Sequence, residues 1–154
     1  MKRSAIILPL LLLGPMAAPA QTREETIEFL KGEFKSFESK EYMYKDISFS
    51  PAGDAFTLRR SSQGKKDYVV TFQLKDVEVY KVTVNHANGI DKHALIVRNR
   101  GRDTHIMKDG YTFKGGLKIT PYMENERKCL ALERAFTRLT MLTTGRTFLF
   151  YDPK

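Results

Sequence analysis

The 154-residue chain carries 26 Lys and Arg against 18 Asp and Glu, a formal net charge of +8, with a single cysteine. One cysteine excludes an intramolecular disulfide framework, and no apolar run beyond the first twenty residues is long enough to span a bilayer. What remains is one domain of ordinary size, able to bury about two-thirds of its unfolded surface, with a surplus of base that favours anionic surroundings.

Residues 1–20, "MKRSAIILPLLLLGPMAAPA", read as an export signal. Lys2 and Arg3 form the basic head, and Ser4 to Leu13 an apolar run too short for a transmembrane helix. Ala18-Pro19-Ala20 then offers a small-x-small site for cleavage after Ala20. No cysteine follows the apolar run to carry a lipid, and no Asn-x-Ser/Thr sequon speaks for a eukaryotic secretory route. The expectation is a periplasmic or secreted mature chain, residues 21–154, forming a single α+β domain with no membrane span. Losing Lys2 and Arg3 and no acid takes the net charge from +8 to +6.

The mature chain opens on a helix expected over 23–38. Thr22 and Glu25 form a capping box, and Ile27, Leu30, Phe34 and Phe37 recur at spacings of three and four. Gly32 weakens the helix interior by about 1 kcal/mol relative to alanine, so packing has to hold it. From Tyr44 to Ile119 the period falls to two. Ile47 and Phe49 alternate with polar neighbours, Pro51-Ala-Gly-Asp54 turns the chain, and Phe56 and Leu58 alternate with Thr57 and Arg59. "SSQGKK" tips a hairpin from which "DYVVTFQL" returns. Val77 and Val79 stand on odd positions but Tyr80, Val82 and Val84 on even ones, which predicts a β-bulge near Tyr80. "HANGIDK" reads as a loop, "HALIVRN" as a more buried strand, and Lys108-Asp-Gly110 as a tight turn. "YTFKGGLKI" closes the series, broken at Gly115-Gly116.

A long final helix is expected from a Thr120 cap with Pro121 at its first position to a left-handed stop at Gly145. Its stripe is Cys129, Leu132, Ala135 with Phe136, Leu139 and Leu142, with Arg127, Arg134, Thr137 and Arg138 turned away. "RTFLFY" reads as a terminal strand or packed tail. The fold class is therefore α+β: an N-terminal helix, an antiparallel meander of about seven strands forming a half-closed barrel or curved sheet, and a long C-terminal helix packed on it.

That order of elements resembles pleckstrin-homology-like domains, in which two near-orthogonal sheets form a half-closed barrel plugged by the final helix. The resemblance implies that basic residues near strand tips meet anionic lipid head groups. The alternative, a curved sheet round a long helix as in cystatin-like domains, places its main helix before the meander. Separately, "RKCLALERAFTRL", through Arg127, Ala131, Leu132, Ala135 and Leu139, resembles the final helix of small exported bacterial proteins of unknown function and implies no activity.

Candidate chemistry is sparse. Cys129 lies on the apolar stripe of its helix, where a free cysteine behaves as a small hydrophobe; an intermolecular disulfide and a nucleophile are the competing readings. His86, His93 and His105 share no metal-ligand spacing, and His86 and His93 flank one loop. There is no G-x-S-x-G or S-x-x-K motif and no phosphate-binding glycine loop, and the carboxylates are scattered. No catalytic residue, cofactor or metal is expected. The best binding candidate is "VRNRGRDTHIMKDG", where Arg98, Arg100 and Arg102 surround a turn at Gly101 and guanidinium forks suit phosphate and carboxylate. A second basic tip, Arg59-Arg60 with Lys65-Lys66, flanks the earlier hairpin. The functional expectation is a non-catalytic binding or protein-interaction module that meets an acidic protein or an anionic envelope component rather than nucleic acid. Next comes a carrier of a lipid or other small ligand, using space behind Ala131 and Ala135. A hydrolase built from dispersed carboxylates or histidines ranks last.

Overall fold

The structure, a computed structural model, describes residues 22–37, 42–62, 65–86, 88–103 and 105–145. The leader at 1–20 and the "RTFLFY" tail lie outside the described residues. Ten principal elements follow in order: α1 (Arg23–Lys35), β1 (Tyr42–Phe49), β2 (Ala55–Ser62), β3 (Lys65–Gln73), β4 (Val77–Asn85), β5 (Asp91–Asn99), β6 (Ile106–Lys108), β7 (Tyr111–Phe113), β8 (Leu117–Lys118) and α2 (Glu126–Thr144). All strand pairing is antiparallel, in a five-stranded sheet ordered β1-β2-β3-β6-β7 and a three-stranded sheet ordered β4-β5-β8. The chain is thus α+β with eight described strands in two sheets and no closed barrel. No helix among the described residues is long and apolar enough to cross a membrane.

The capping box starts α1 as its residue types dictate: the Glu25 amide donates to Thr22 Oγ1 at 3.2 Å and the Thr22 amide to Glu25 Oε2 at 2.7 Å. The helix stops at Lys35, three residues short of the expected end, where the Ser36 amide donates back to the Gly32 carbonyl. Leu30 and Phe34 are fully buried, and Ile27 and Phe37 pack at their margin. The β1–β2 turn docks on this helix. Gly53 has φ +75°, and a Cβ there would meet the Arg23 and Ile27 side chains at 3.1–3.2 Å, so both backbone and space call for glycine.

Three expectations are corrected. No bulge occurs at Tyr80, because β4 and β5 pair without a break from Val77↔Asn99 to Asn85↔Asp91. The change of phase arises because β4 carries apolar groups on both faces: Val77 and Val79 line the core, and Tyr80 and Val82 sit opposite Ile96 and Ala94 on the other side. The chain instead changes sheets through a 3₁₀ turn at Leu74–Asp76, anchored by buried Leu74 and Val77. Register shifts do occur, but between Tyr44 and Asp46 and between Arg60 and Ser62.

The last helix does not begin at Thr120-Pro121. Thr120 is buried, and its hydroxyl accepts from the Leu95 amide at 2.9 Å. His93 and Met123 then exchange two backbone hydrogen bonds, at 2.7 and 2.8 Å, so this segment runs along β5. The sheet's open hydrogen bonds win over the local capping signal, and Asn125 becomes the cap, accepting from the Lys128 amide at 3.0 Å. The helix ends at Gly145 in the left-handed conformation, φ 66°. Its stripe buries Cys129, Leu132, Ala135, Phe136 and Leu139, whereas Leu142, expected inside, is exposed. Arg138 and Thr137 are half-buried rather than turned fully away.

The core is centred on rings. Phe136 of α2 meets Phe34 of α1 edge-on at 6.1 Å and Phe56 of β2 at 5.4 Å, Phe34 and Phe56 lie 5.8 Å apart, and Phe72 of β3 follows at 5.1 Å from Phe56. Replacing a fully buried phenylalanine by alanine costs about 3–5 kcal/mol. Phe136→Ala should lose stability in that range in urea unfolding. Asn125→Ala, which removes only the cap, should cost about 1 kcal/mol.

Candidate functional site

The structure does not draw the three turn arginines into one open site. Arg98 in β5 pairs with Glu78 of β4 at 2.8 Å and lies 4.8 Å over the Tyr80 ring. The hydrogen bond to Glu78 and its charge hold that guanidinium above the usual arginine range. Arg100 donates through Nε to the Val77 carbonyl, closing the sheet corner. Arg102 stands exposed. Two of the three are therefore engaged in holding β4 to the chain that follows β5.

The histidines are not assembled either. His93 is buried and shares a 2.9 Å hydrogen bond with the Thr83 hydroxyl, His86 packs edge-on to Tyr122, and His105 is exposed with Asp76 at 3.9 Å. Among the described residues no group of three or more His, Cys, Asp or Glu is placed to hold a metal ion. Cys129 is fully buried. Burial, followed by the Glu133 charge, pushes its thiol up to about 11. A nucleophilic thiolate needs the opposite shift, so packing is the reading this environment supports. Ala131 is exposed and only Ala135 faces the core, so the two do not jointly leave space behind α2.

Sequence reading passed over a cluster of cations seated on aromatic rings. Alternation along β2 and β3 makes Phe56, Leu58 and Arg60 pair with Phe72, Val70 and Tyr68. The first two pairs are core; the third carries the same face outward as a cation on a ring, with the Arg60 guanidinium 4.6 Å from the Tyr68 centroid. Lys108 of β6, paired with Val70, brings its ammonium to 5.2 Å from Tyr68 and 5.9 Å from Phe113. Lys118 of β8 places its ammonium 3.9 Å over Tyr122. Partial burial and then the nearby Arg60 charge push Lys118 below the usual lysine range, which ties β8 to β2 as neighbours in space. The signal in the sequence was the stripe Phe56-x-Leu58-x-Arg60: two inward apolar positions followed by a cation in the same phase.

The other lysines near α2 are handled differently. Lys81 pairs with Glu126, and Lys128 with Glu33 at 3.2 Å. Among the described residues neither Lys108 nor Lys118 meets a carboxylate. Ring faces attract a cation through their quadrupole without cancelling its charge, so the cluster keeps its positive potential. No protein-family model matches this chain, and no curated protein or solved structure matches it either.

The thiol assignment has a direct consequence. An acid whose folded-state value is raised above its unfolded one loses folding stability as pH climbs between the two. Stability should therefore fall as pH rises from 9 towards about 11, and Cys129→Ala should flatten that part of the profile in chemical unfolding. At pH 8 a thiol-specific reagent should modify the native chain only on the timescale of unfolding. Rapid modification would contradict the packing role.

Proposed function

We propose that this chain is an exported, non-catalytic binding module whose ligand or partner is anionic, engaged through Arg60, Lys108 and Lys118. The observation that carries the reading is the juxtaposition of Lys118 with Arg60: two like charges set together, one partly desolvated, with a ring rather than a carboxylate beneath the lysine. Such an arrangement is costly in the free protein and is relieved by an incoming anion. The exposed Arg102 and the basic balance of the chain add long-range attraction for an acidic partner. Arg98 and Arg100 contribute to the shape of the β4–β5 corner instead.

The test is a titration with poly-L-glutamate, a flexible carboxylate polymer, followed by amide chemical shifts. Shifts should concentrate at Arg60, Lys108, Lys118 and Tyr122. Neutralising Arg60, Lys108 and Lys118 together to glutamine should weaken binding at least about tenfold, given about 1.5–3 kcal/mol for each hydrogen bond to a charged group. Arg102→Gln should change it by less than about twofold, as for a rim charge. Binding that maps to Arg98, Arg100 and Arg102 and survives the triple substitution would move the site to the β5 turn.

A further inference from the structure

Resting on the reading above, we infer that the cation–aromatic cluster is a phosphate site: it takes the phosphate group of a small molecule or head group between Lys118, Arg60 and Lys108. The donor set is the first ground. A guanidinium fork from β2 and two ammonium groups from β6 and β8 enter from three different strands. Donors arriving from separate directions match oxygens arranged round a tetrahedral centre better than the two coplanar oxygens of a carboxylate.

Charge is the second ground. One carboxylate brings a single negative charge to a place where at least two positive charges act on one another. A phosphate monoester brings about −1.5 to −2 near neutral pH. The third ground is how the cations are held. Tyr122, Tyr68 and Phe113 seat the ammonium and guanidinium groups before any ligand arrives, so little side-chain freedom is left to lose on binding. Tyr122 is 43 % exposed, which leaves the Lys118 side of the cluster open to solvent. The Lys118 shift fits the same picture, since an anion that stabilises its ammonium draws a proton onto it at alkaline pH.

The experiment is isothermal titration of the purified chain with inorganic phosphate, pyrophosphate and acetate at matched ionic strength. Phosphate and pyrophosphate should bind, acetate at least about tenfold more weakly, and Lys118→Gln and Lys108→Gln should each weaken phosphate about tenfold, the scale of one charge-assisted hydrogen bond. Unchanged melting temperatures keep those losses local, and Arg102→Gln serves as the control that retains binding. Competition by phosphatidylcholine vesicles containing phosphatidic acid would place the phosphate on a lipid head group. Vesicles without effect on pyrophosphate binding would assign the site to soluble phosphates. Acetate as tight as phosphate overturns the phosphate assignment and leaves the anion-binding module standing. Phosphate binding indifferent to both lysine variants overturns the site. Absence of binding by all three anions, and by poly-L-glutamate, overturns both readings.

Discussion

One contact between three rings governs the rest of the molecule. Phe34, Phe56 and Phe136 come from the first helix, the second strand and the last helix, and each meets the other two within about 6 Å. No two of these elements are consecutive in the chain, so this contact joins the layers. It also sets the phase of the inward stripe of β2: with Phe56 fixed against both helices, Leu58 and then Arg60 must follow on the same face. Four residues of strand carry Arg60 roughly 13 Å from Phe56. At that distance its neighbours are Tyr68 and Lys118 rather than the helices.

The fold handles cations in two ways, and the difference organises its surface. Where α2 meets α1 and β4, lysines pair with Glu33 and Glu126, and Glu126 is held below the usual carboxylate range by its hydrogen bond to Lys81. Those pairs cancel charge at a seam between elements. At the Arg60 end of the five-stranded sheet, the ring faces of Tyr68, Phe113 and Tyr122 replace carboxylates. Structural adhesion is obtained there while the positive potential stays in place. The same distinction explains why counting arginines near a turn was a poor guide. Arg98 and Arg100 belong to the first kind of use, adhesion within the fold.

Much of the architecture was legible because it rests on local chemistry. The capping box at Thr22, the Asp109-Gly110 turn with both residues at positive φ, and the left-handed stop at Gly145 are each decided by one or two residues. Where the reading failed, tertiary partners outbid a local signal. Thr120 looked like a cap until the Leu95 amide claimed its hydroxyl. Tyr80, Val82 and Val84 looked like a slipped strand because the second face of β4 is itself apolar. The cation–aromatic cluster was hidden for another reason. Its members lie on β2, β3, β6, β7, β8 and the segment before α2, and only the Arg60 position in a hydrophobic stripe betrays any of it.

The docking of α2 also does something for β4 beyond covering core. Among the described residues β4 borders the three-stranded sheet with one side unpaired, and the Glu133 side chain accepts the Lys81 amide there at 2.8 Å. An unpaired edge is a template for another chain. Because the blocking carboxylate sits on the last helix to leave the ribosome, the sheet can form before its edge is occupied. During that interval the nascent chain carries an open β4 rim, and its escape from strand-to-strand clumping depends on how fast the C-terminal helix settles.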